Sequence, residues 1–229
     1  MLSSDYGEYL AVYRLTGPLS TGPCGGLSAL PHGPDEARVT DTETFLDDRA
    51  VILVGLMGVG KSSIGKRLAR RLGIPFVDAD AEIVKAAGCS IADIFERFGE
   101  AAFREGERRV IERLLKSGAQ VLATGGGAYL DSETRAQIRQ SGVSVWLRAD
   151  LDVLVRRLTR RSHERPLLKN GDVRETLDRL MNERYPIYAE ADVVVDTADE
   201  ALDVTVERVI DALRRHVEKA ELAAGDVAR

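Results

Sequence analysis

Residues 51–63 read Val-Ile-Leu-Val-Gly-Leu-Met-Gly-Val-Gly-Lys-Ser-Ser, an apolar run that breaks into a glycine-rich loop and ends in Lys-Ser-Ser. The apolar run predicts a buried strand. Gly55 and Gly60 have the spacing of a phosphate-binding loop (P-loop), and Lys61 and Ser62 follow at once. Apolar residues at helical spacing come next: Ile64, Leu68, Ala69 and Leu72. Strand, glycine loop and helix therefore stand in the order that a P-loop requires.

The glycines of this loop indicate a ligand that the backbone itself contacts. Backbone N–H groups can wrap around a polyphosphate only where side chains are absent. Lys61 is placed to reach the β- and γ-phosphates, and the Ser62 hydroxyl can ligate Mg²⁺. The sequence therefore predicts a nucleotide-phosphate site formed by Gly58, Val59, Gly60, Lys61, Ser62 and Ser63.

Charge and cysteine content narrow the class of protein. Lys and Arg total 32 against 37 Asp and Glu, so the chain lacks the basic balance of nucleic-acid-binding proteins. Cys24 and Cys89 have neither metal-ligand nor CxxC spacing, which indicates unpaired thiols in a reducing compartment. No apolar stretch is long enough to span a membrane. We expect a cytoplasmic, monomeric protein that acts on small molecules.

The ends of the chain differ in composition from its centre. Residues 1–46 hold four of the seven prolines and many glycines, which is typical of a flexible extension. We expect this extension to be dispensable, and Val39 could mark an alternative start of translation. The folded domain is expected over residues 47–217, followed by a C-terminal tail at residues 218–229.

From residue 50 onward, predicted strands and helices alternate, which indicates a parallel sheet covered on both faces. The second predicted strand ends in Asp78 and Asp80, at the edge where such sheets bind ligands. Alternation along a strand would point these two side chains in different directions. The strand ending at Thr124 runs into Gly125–Gly127 and carries no metal-binding Asp, so Asp78 is the candidate metal ligand.

Two further helical regions carry charged candidates. A capping box at Ser90–Asp93 starts a short helix that Gly99 ends, and a longer helix follows. Asp172–Glu183 is predicted to be helical and to stop before Arg184-Tyr185-Pro186. Five arginines within ten residues indicate either a solvated helix face or a mobile lid, with Arg165 as the strongest lid candidate: Arg156, Arg157, Arg160, Arg161 and Arg165.

Taken together, these motifs resemble the shikimate kinase family over about residues 48–217. The segments that carry the resemblance are Gly58–Ser63, Asp78-x-Asp80, Ser90–Glu96 with Phe103-Arg104, Gly125–Gly127, Arg165-Pro166-Leu167-Leu168 and Arg184-Tyr185-Pro186. The resemblance implies a three-layer α/β P-loop kinase fold with five parallel strands in the order 2-3-1-4-5. It also implies a substrate-binding helical region near residues 80–115 and a lid near residues 157–172.

The resemblance further implies ATP-dependent phosphorylation of the 3-hydroxyl of shikimate, a step in aromatic amino-acid biosynthesis, with Mg²⁺ as cofactor. The catalytic candidates are then Lys61 and Arg165 on the ATP phosphates and Asp80 on the shikimate hydroxyl. Arg104 and Arg184 are expected to grip the substrate carboxylate. The complete substrate set is Asp80, Arg104, Gly125, Gly126, Gly127 and Arg184, and the metal set is Ser62 and Asp78.

Several alternatives remain open at this point. An Asp at position 80 favours an alcohol acceptor, because an alcohol must lose its proton as it attacks phosphorus. A gluconate-type or nucleoside-monophosphate kinase, or a non-catalytic ATP-binding module, would share the P-loop. Glu107 or Glu183 could pair with the two candidate arginines in a purely structural role. Either Arg157 or Arg160 could pack on adenine, since residues 196–200 supply no arginine.

Overall fold

The computed structural model describes residues 46, 48–160 and 172–227. Its centre is a five-stranded sheet in the order β2-β3-β1-β4-β5, and every strand pair is parallel. The predicted sheet and strand order are therefore confirmed. The strands are β1 (Ala50–Val54), β2 (Phe76–Asp78), β3 (Val121–Ala123), β4 (Gly142–Arg148) and β5 (Val193–Asp196).

Helices flank this sheet within the described residues. They are α1 (Lys61–Leu72), α2 (Ala79–Ala87), α3 (Ile91–Leu115), α4 (Ser132–Ser141), α5 (Leu151–Thr159), α6 (Val173–Tyr188) and α7 (Leu202–Val227), with a 3₁₀ turn at Ala128–Leu130. α1 packs against α7, and α3 packs against α4. The centre of the sheet is inaccessible to solvent, because all five residues of the middle strand, β1, are buried.

The register brings the carboxyl ends of β1 and β3 to one level. Leu53 of β1 pairs with Ala123 of β3 and with Val145 of β4. The loops that leave β1 and β3 therefore start side by side, at the carboxyl edge where α/β sheets bind ligands. This edge carries the P-loop and the glycine loop Gly125–Gly127.

Helix boundaries differ from the sequence predictions at three places. Asp80 lies in the first turn of α2 and not on a strand, because the Asp78 side chain accepts a hydrogen bond from the Asp80 N–H and caps the helix. α6 continues through Pro186 to Tyr188, since a proline near a helix end removes only one backbone bond and Tyr188 is buried. α7 continues to Val227, although residues 218–225 of this helix are all exposed.

The region around Gly99 follows the prediction closely. Ser90 and Asp93 form the expected capping box at the start of α3. Gly99 has φ 79 and ψ 174, so a kink divides α3 into a short and a long helical segment. The long segment starts directly after Gly99 and carries Arg104 and Glu107, which both lie at the site described below.

Candidate active site

The P-loop depends on glycine for its backbone shape. Gly58 and Gly60 have φ values of 83 and 106, which L side chains rarely adopt. A Cβ at Gly55 would lie 2.6 Å from the Leu147 carbonyl oxygen, so β4 leaves no room for a side chain there. Lys61 begins α1, and its Nζ donates to the Gly55 and Leu56 carbonyls at 2.7 and 3.1 Å. The predicted phosphate-binding residues are thus assembled in one loop.

Ser62 and Asp78 come together from α1 and β2. The Ser62 hydroxyl donates to Asp78 Oδ2 at 2.7 Å. Hydroxyl and carboxylate oxygens are the hard ligands that Mg²⁺ prefers, so the pair fits this ion. The described part of the chain has no group of three or more His, Cys, Asp or Glu residues that could hold a metal.

A cavity of about 140 Å³ joins the P-loop to the second glycine loop. Its walls include Lys61, Ser62, Asp78, Asp80 and Gly126. Predicted phosphate and metal residues therefore border one space with two of the predicted acceptor residues, Asp80 and Gly126, although they come from three separate segments of the chain.

The loop Gly125–Gly127 is surrounded by charged side chains. A Cβ at Gly125 would lie 3.0 Å from Asp80 Oδ1, and a Cβ at Gly127 would lie 2.6 Å from Arg104 Nη2. Arg184 Nη1 donates to the Gly126 carbonyl at 3.1 Å. The structure thus brings together Asp80, Arg104 and Arg184 around three residues that have no side chains.

Arg104 and Arg184 differ in their ion pairs with neighbouring glutamates. Arg104 Nη1 bonds Glu107 Oε2 at 2.7 Å, and its Nη2 bonds Glu100 Oε1 at 3.1 Å. The ion pair with Glu107 that the sequence offered as an alternative is therefore present. Arg184 does not pair with Glu183, which binds Arg179 instead. The Nε of Arg184 is buried and has no hydrogen-bond partner among the described residues.

Glu107 is the residue that sequence reasoning missed as part of the site. It is only 2% exposed, and its Oε1 has no partner in the described part of the chain. A Cβ at Gly125 would lie 2.6 Å from this oxygen. Burial raises the pKa of the Glu107 carboxyl, and the charge of Asp80 adds to this effect. Its position three residues after Arg104 was the available signal, and it indicated only a helix ion pair.

A second, larger cavity of about 570 Å³ lies on the other side of the P-loop. Gly58–Gly60 form one wall, and Arg157, Arg160 and Asp199 form others. Arg157 Nη1 donates to the Val59 carbonyl at 2.9 Å, so the first of the two adenine candidates is fixed against the loop. Both candidate arginines border the same cavity.

Some predicted features are not placed by the structure. Arg165 and Arg161 of the expected lid, the extension at 1–45 and Cys24 lie outside the described residues. Cys89 is a free, partly buried thiol at the α2–α3 junction. None of the described helices is long and apolar enough to cross a lipid bilayer.

Comparison with known proteins agrees with this geometry. The family model described as shikimate kinase matches residues 57–214. A shikimate kinase from Paramagnetospirillum magneticum is 61% identical over 165 residues, which cover 72% of this chain and 84% of that protein. One from Brucella canis is 50% identical over 188 residues, which cover 82% and 94%.

A solved structure gives the same result. The shikimate kinase from Acinetobacter baumannii in complex with shikimate is similar with a TM-score of 0.69 at 35% identity, over 74% of this chain and 94% of that one. The sequence relatives are more than 30% identical over most of their length. The chain described here therefore belongs to the shikimate kinase family.

Proposed function

We propose that this protein transfers the γ-phosphoryl group of ATP to the 3-hydroxyl of shikimate, giving ADP and shikimate 3-phosphate. The observation that carries the proposal is the convergence of Arg104 and Arg184 on the loop Gly125–Gly127, next to the P-loop cavity. The two arginines are 80 residues apart in the chain, so the fold alone brings them together.

The arginine pair suits a small carboxylate. A guanidinium offers paired, planar N–H donors that match the two oxygens of a carboxylate. A buried N–H without a partner costs about 1–3 kcal/mol, so the lone Nε of Arg184 favours a ligand that accepts from it. Glu100 and Glu107 form ion pairs with Arg104, whose guanidinium lies beside Gly127.

Asp80 is the proposed partner of the reacting hydroxyl. It lies over Gly125 and also borders the cavity at Lys61, so it is placed between the acceptor site and the phosphate site. A carboxylate there can orient the hydroxyl and accept its proton as the oxygen attacks phosphorus.

The nucleotide half positions the phosphoryl donor. Backbone N–H groups of residues 58–63 and the Lys61 ammonium would hold the phosphates, with the base in the cavity beside Arg157 and Arg160. Lys61 now binds two carbonyls of its own loop, so we expect it to exchange these bonds for phosphate oxygens. Ser62 and Asp78 would hold Mg²⁺, which neutralises charge on the phosphates when bound.

A coupled ADP-release assay with ATP and Mg²⁺ tests the proposal across three acceptors: shikimate, gluconate and nucleoside monophosphates. We expect turnover with shikimate only. Turnover with gluconate or a nucleoside monophosphate and none with shikimate would assign the protein to a different P-loop kinase activity. ATP binding without turnover of any acceptor would favour a non-catalytic module.

A further inference from the structure

Tyr188 is a buried tyrosine that the proposed reaction does not use directly. It is fully buried, and its hydroxyl donates a hydrogen bond to the Gly126 carbonyl. It lies one helical turn after Arg184 on α6, so both side chains leave the same face of this helix. The two residues therefore approach the glycine loop together.

The Gly126 carbonyl receives both donors. Arg184 Nη1 donates to it at 3.1 Å, and the Tyr188 hydroxyl donates to it from the interior. A carbonyl oxygen has two lone pairs, so these two bonds use its full capacity. The phenol and the guanidinium thus share one acceptor, and their common bond partner ties the position of each to the Gly126 carbonyl.

Two other aromatic rings lie next to the Tyr188 ring. The ring centroid of Tyr188 lies 6.0 Å from that of Trp146 and 6.5 Å from that of Tyr129. Burial raises the pKa of Tyr188 to about 12, so the hydroxyl stays a donor throughout the neutral range. Glycines have no side chains with which to anchor their own loop, and this buried donor provides the anchor.

We propose that Tyr188 is a positioning residue for the acceptor site. Its hydroxyl fixes the Gly126 carbonyl and, through it, sets the Arg184 guanidinium at the angle that receives the substrate carboxylate. This inference rests on the proposed function, because the carboxylate is that of shikimate. It predicts that the hydroxyl contributes to binding of the acceptor and not to binding of ATP.

The test compares Tyr188→Phe with two matched controls, Tyr185→Phe and Tyr129→Phe. Tyr185 donates to the Ala149 carbonyl at 2.6 Å, and Tyr129 bonds Ser144 at 3.3 Å, so each control removes one hydroxyl from the same aromatic cluster without touching Gly126. We expect Tyr188→Phe to raise the KM for shikimate about three- to tenfold, the size of one hydrogen bond, with the KM for ATP unchanged. The controls should leave both KM values near those of the wild type.

A double variant separates positioning from general stability. If Tyr188 acts through Arg184, adding Tyr188→Phe to Arg184→Lys should raise the KM for shikimate little further. Multiplying effects, an unchanged KM in Tyr188→Phe, or an equal rise in Tyr185→Phe would each overturn the inference.

A second measurement tests the inference even if the Tyr188→Phe variant has low stability. Shikimate stabilises the folded protein by an amount that rises with its affinity at a fixed concentration, so its shift of the urea midpoint reports binding even when stability is low. A smaller shift than in the wild type supports the inference, and an equal shift contradicts it. If the wild type itself does not turn over shikimate, the proposed function is wrong. If the wild type turns over shikimate and Tyr188→Phe has the same KM for shikimate, only the inference about Tyr188 is wrong.

Discussion

The nucleotide half and the acceptor half of the site are built in different ways. The proposed phosphate site is a continuous segment, residues 55–63, whose backbone would provide most of the binding groups. The proposed acceptor site instead combines side chains from α2, α3 and α6 around a loop that has none. Substitutions in the first half should therefore act through the backbone shape of the loop. Substitutions in the second half should act through the charge and placement of long side chains, so variants can distinguish the two halves.

The largest effect is expected from Asp80→Asn, which acts where the two halves meet. The amide keeps the shape of the side chain but cannot accept a proton, so kcat should fall by about 10²–10⁴ while ATP binding is retained. Glu82→Gln is a suitable control, because Glu82 lies on the same helix and pairs with Arg113 at 3.2 Å. Steady-state kinetics with nucleotide titration checks both quantities. Near-normal turnover of Asp80→Asn would remove this residue from the mechanism.

Next in size are Arg184→Lys and Arg104→Lys, which break the acceptor half alone. Lysine keeps the charge but loses the paired donors, so each variant should lose about 1.5–3 kcal/mol in kcat/KM for shikimate, the range for a charged hydrogen bond. The KM for ATP should stay constant. Arg179→Lys is the control on α6, since Arg179 binds only the exposed Glu183 among the described residues.

Arg104 needs one more measurement because of its two ion pairs. Loss of the bonds to Glu100 and Glu107 should lower the melting temperature of Arg104→Lys more than that of Arg184→Lys. If both variants melt early and still bind shikimate normally, the arginines are structural and the carboxylate clamp is wrong.

Two glycine substitutions contrast the halves most directly. Gly55→Ala places a Cβ against the Leu147 backbone at φ 139, so we expect it to destabilise the fold by about 1–3 kcal/mol, as overpacking does. Gly127→Ala places a Cβ against the Arg104 guanidinium, the far end of a flexible side chain and not backbone, so it should cost less stability than Gly55→Ala and raise the KM for shikimate. Thermal melts and kinetics on both variants check this contrast. Equal loss of stability in the two variants would contradict it.

The smallest effect concerns the pH dependence of stability through Glu107. Its pKa is raised in the folded state, mainly by burial, so the folded protein holds this proton to higher pH than the unfolded chain does. The stability that Glu107 contributes is complete below the ordinary glutamate pKa and is lost as pH rises through the raised value. The wild type should therefore lose stability relative to Glu107→Gln as pH increases from 5 to 8, about the range above that ordinary value.

Melting temperatures of both proteins across this pH range measure the difference. Because Gln cannot titrate, the variant provides the baseline for all other groups. A constant difference, or one that grows in favour of the wild type with pH, would show that the Arg104 charge outweighs burial at this site.

The sequence by itself determined the nucleotide half of this protein. A P-loop binds through consecutive backbone groups, so Gly55, Gly60, Lys61 and Ser62 carry its whole specification within one short stretch. Alternating strands and helices indicated the parallel sheet, and the resemblance to the shikimate kinase family implied its strand order. These features are local in the chain, and local patterns can be recognised without coordinates.

Only the tertiary structure decided how the acceptor half is assembled. Asp78 caps α2, so Asp80 lies in a helix and not on the predicted strand. α6 continues past Pro186, so Tyr188 lies in this helix and its hydroxyl reaches the Gly126 carbonyl. The contact of Glu107 with the glycine loop joins residues of α3 and of the loop after β3. Such contacts depend on how separate helices pack against a common edge of the sheet. Spacing along the chain does not encode the distances between those helices, because packing of the whole core sets them.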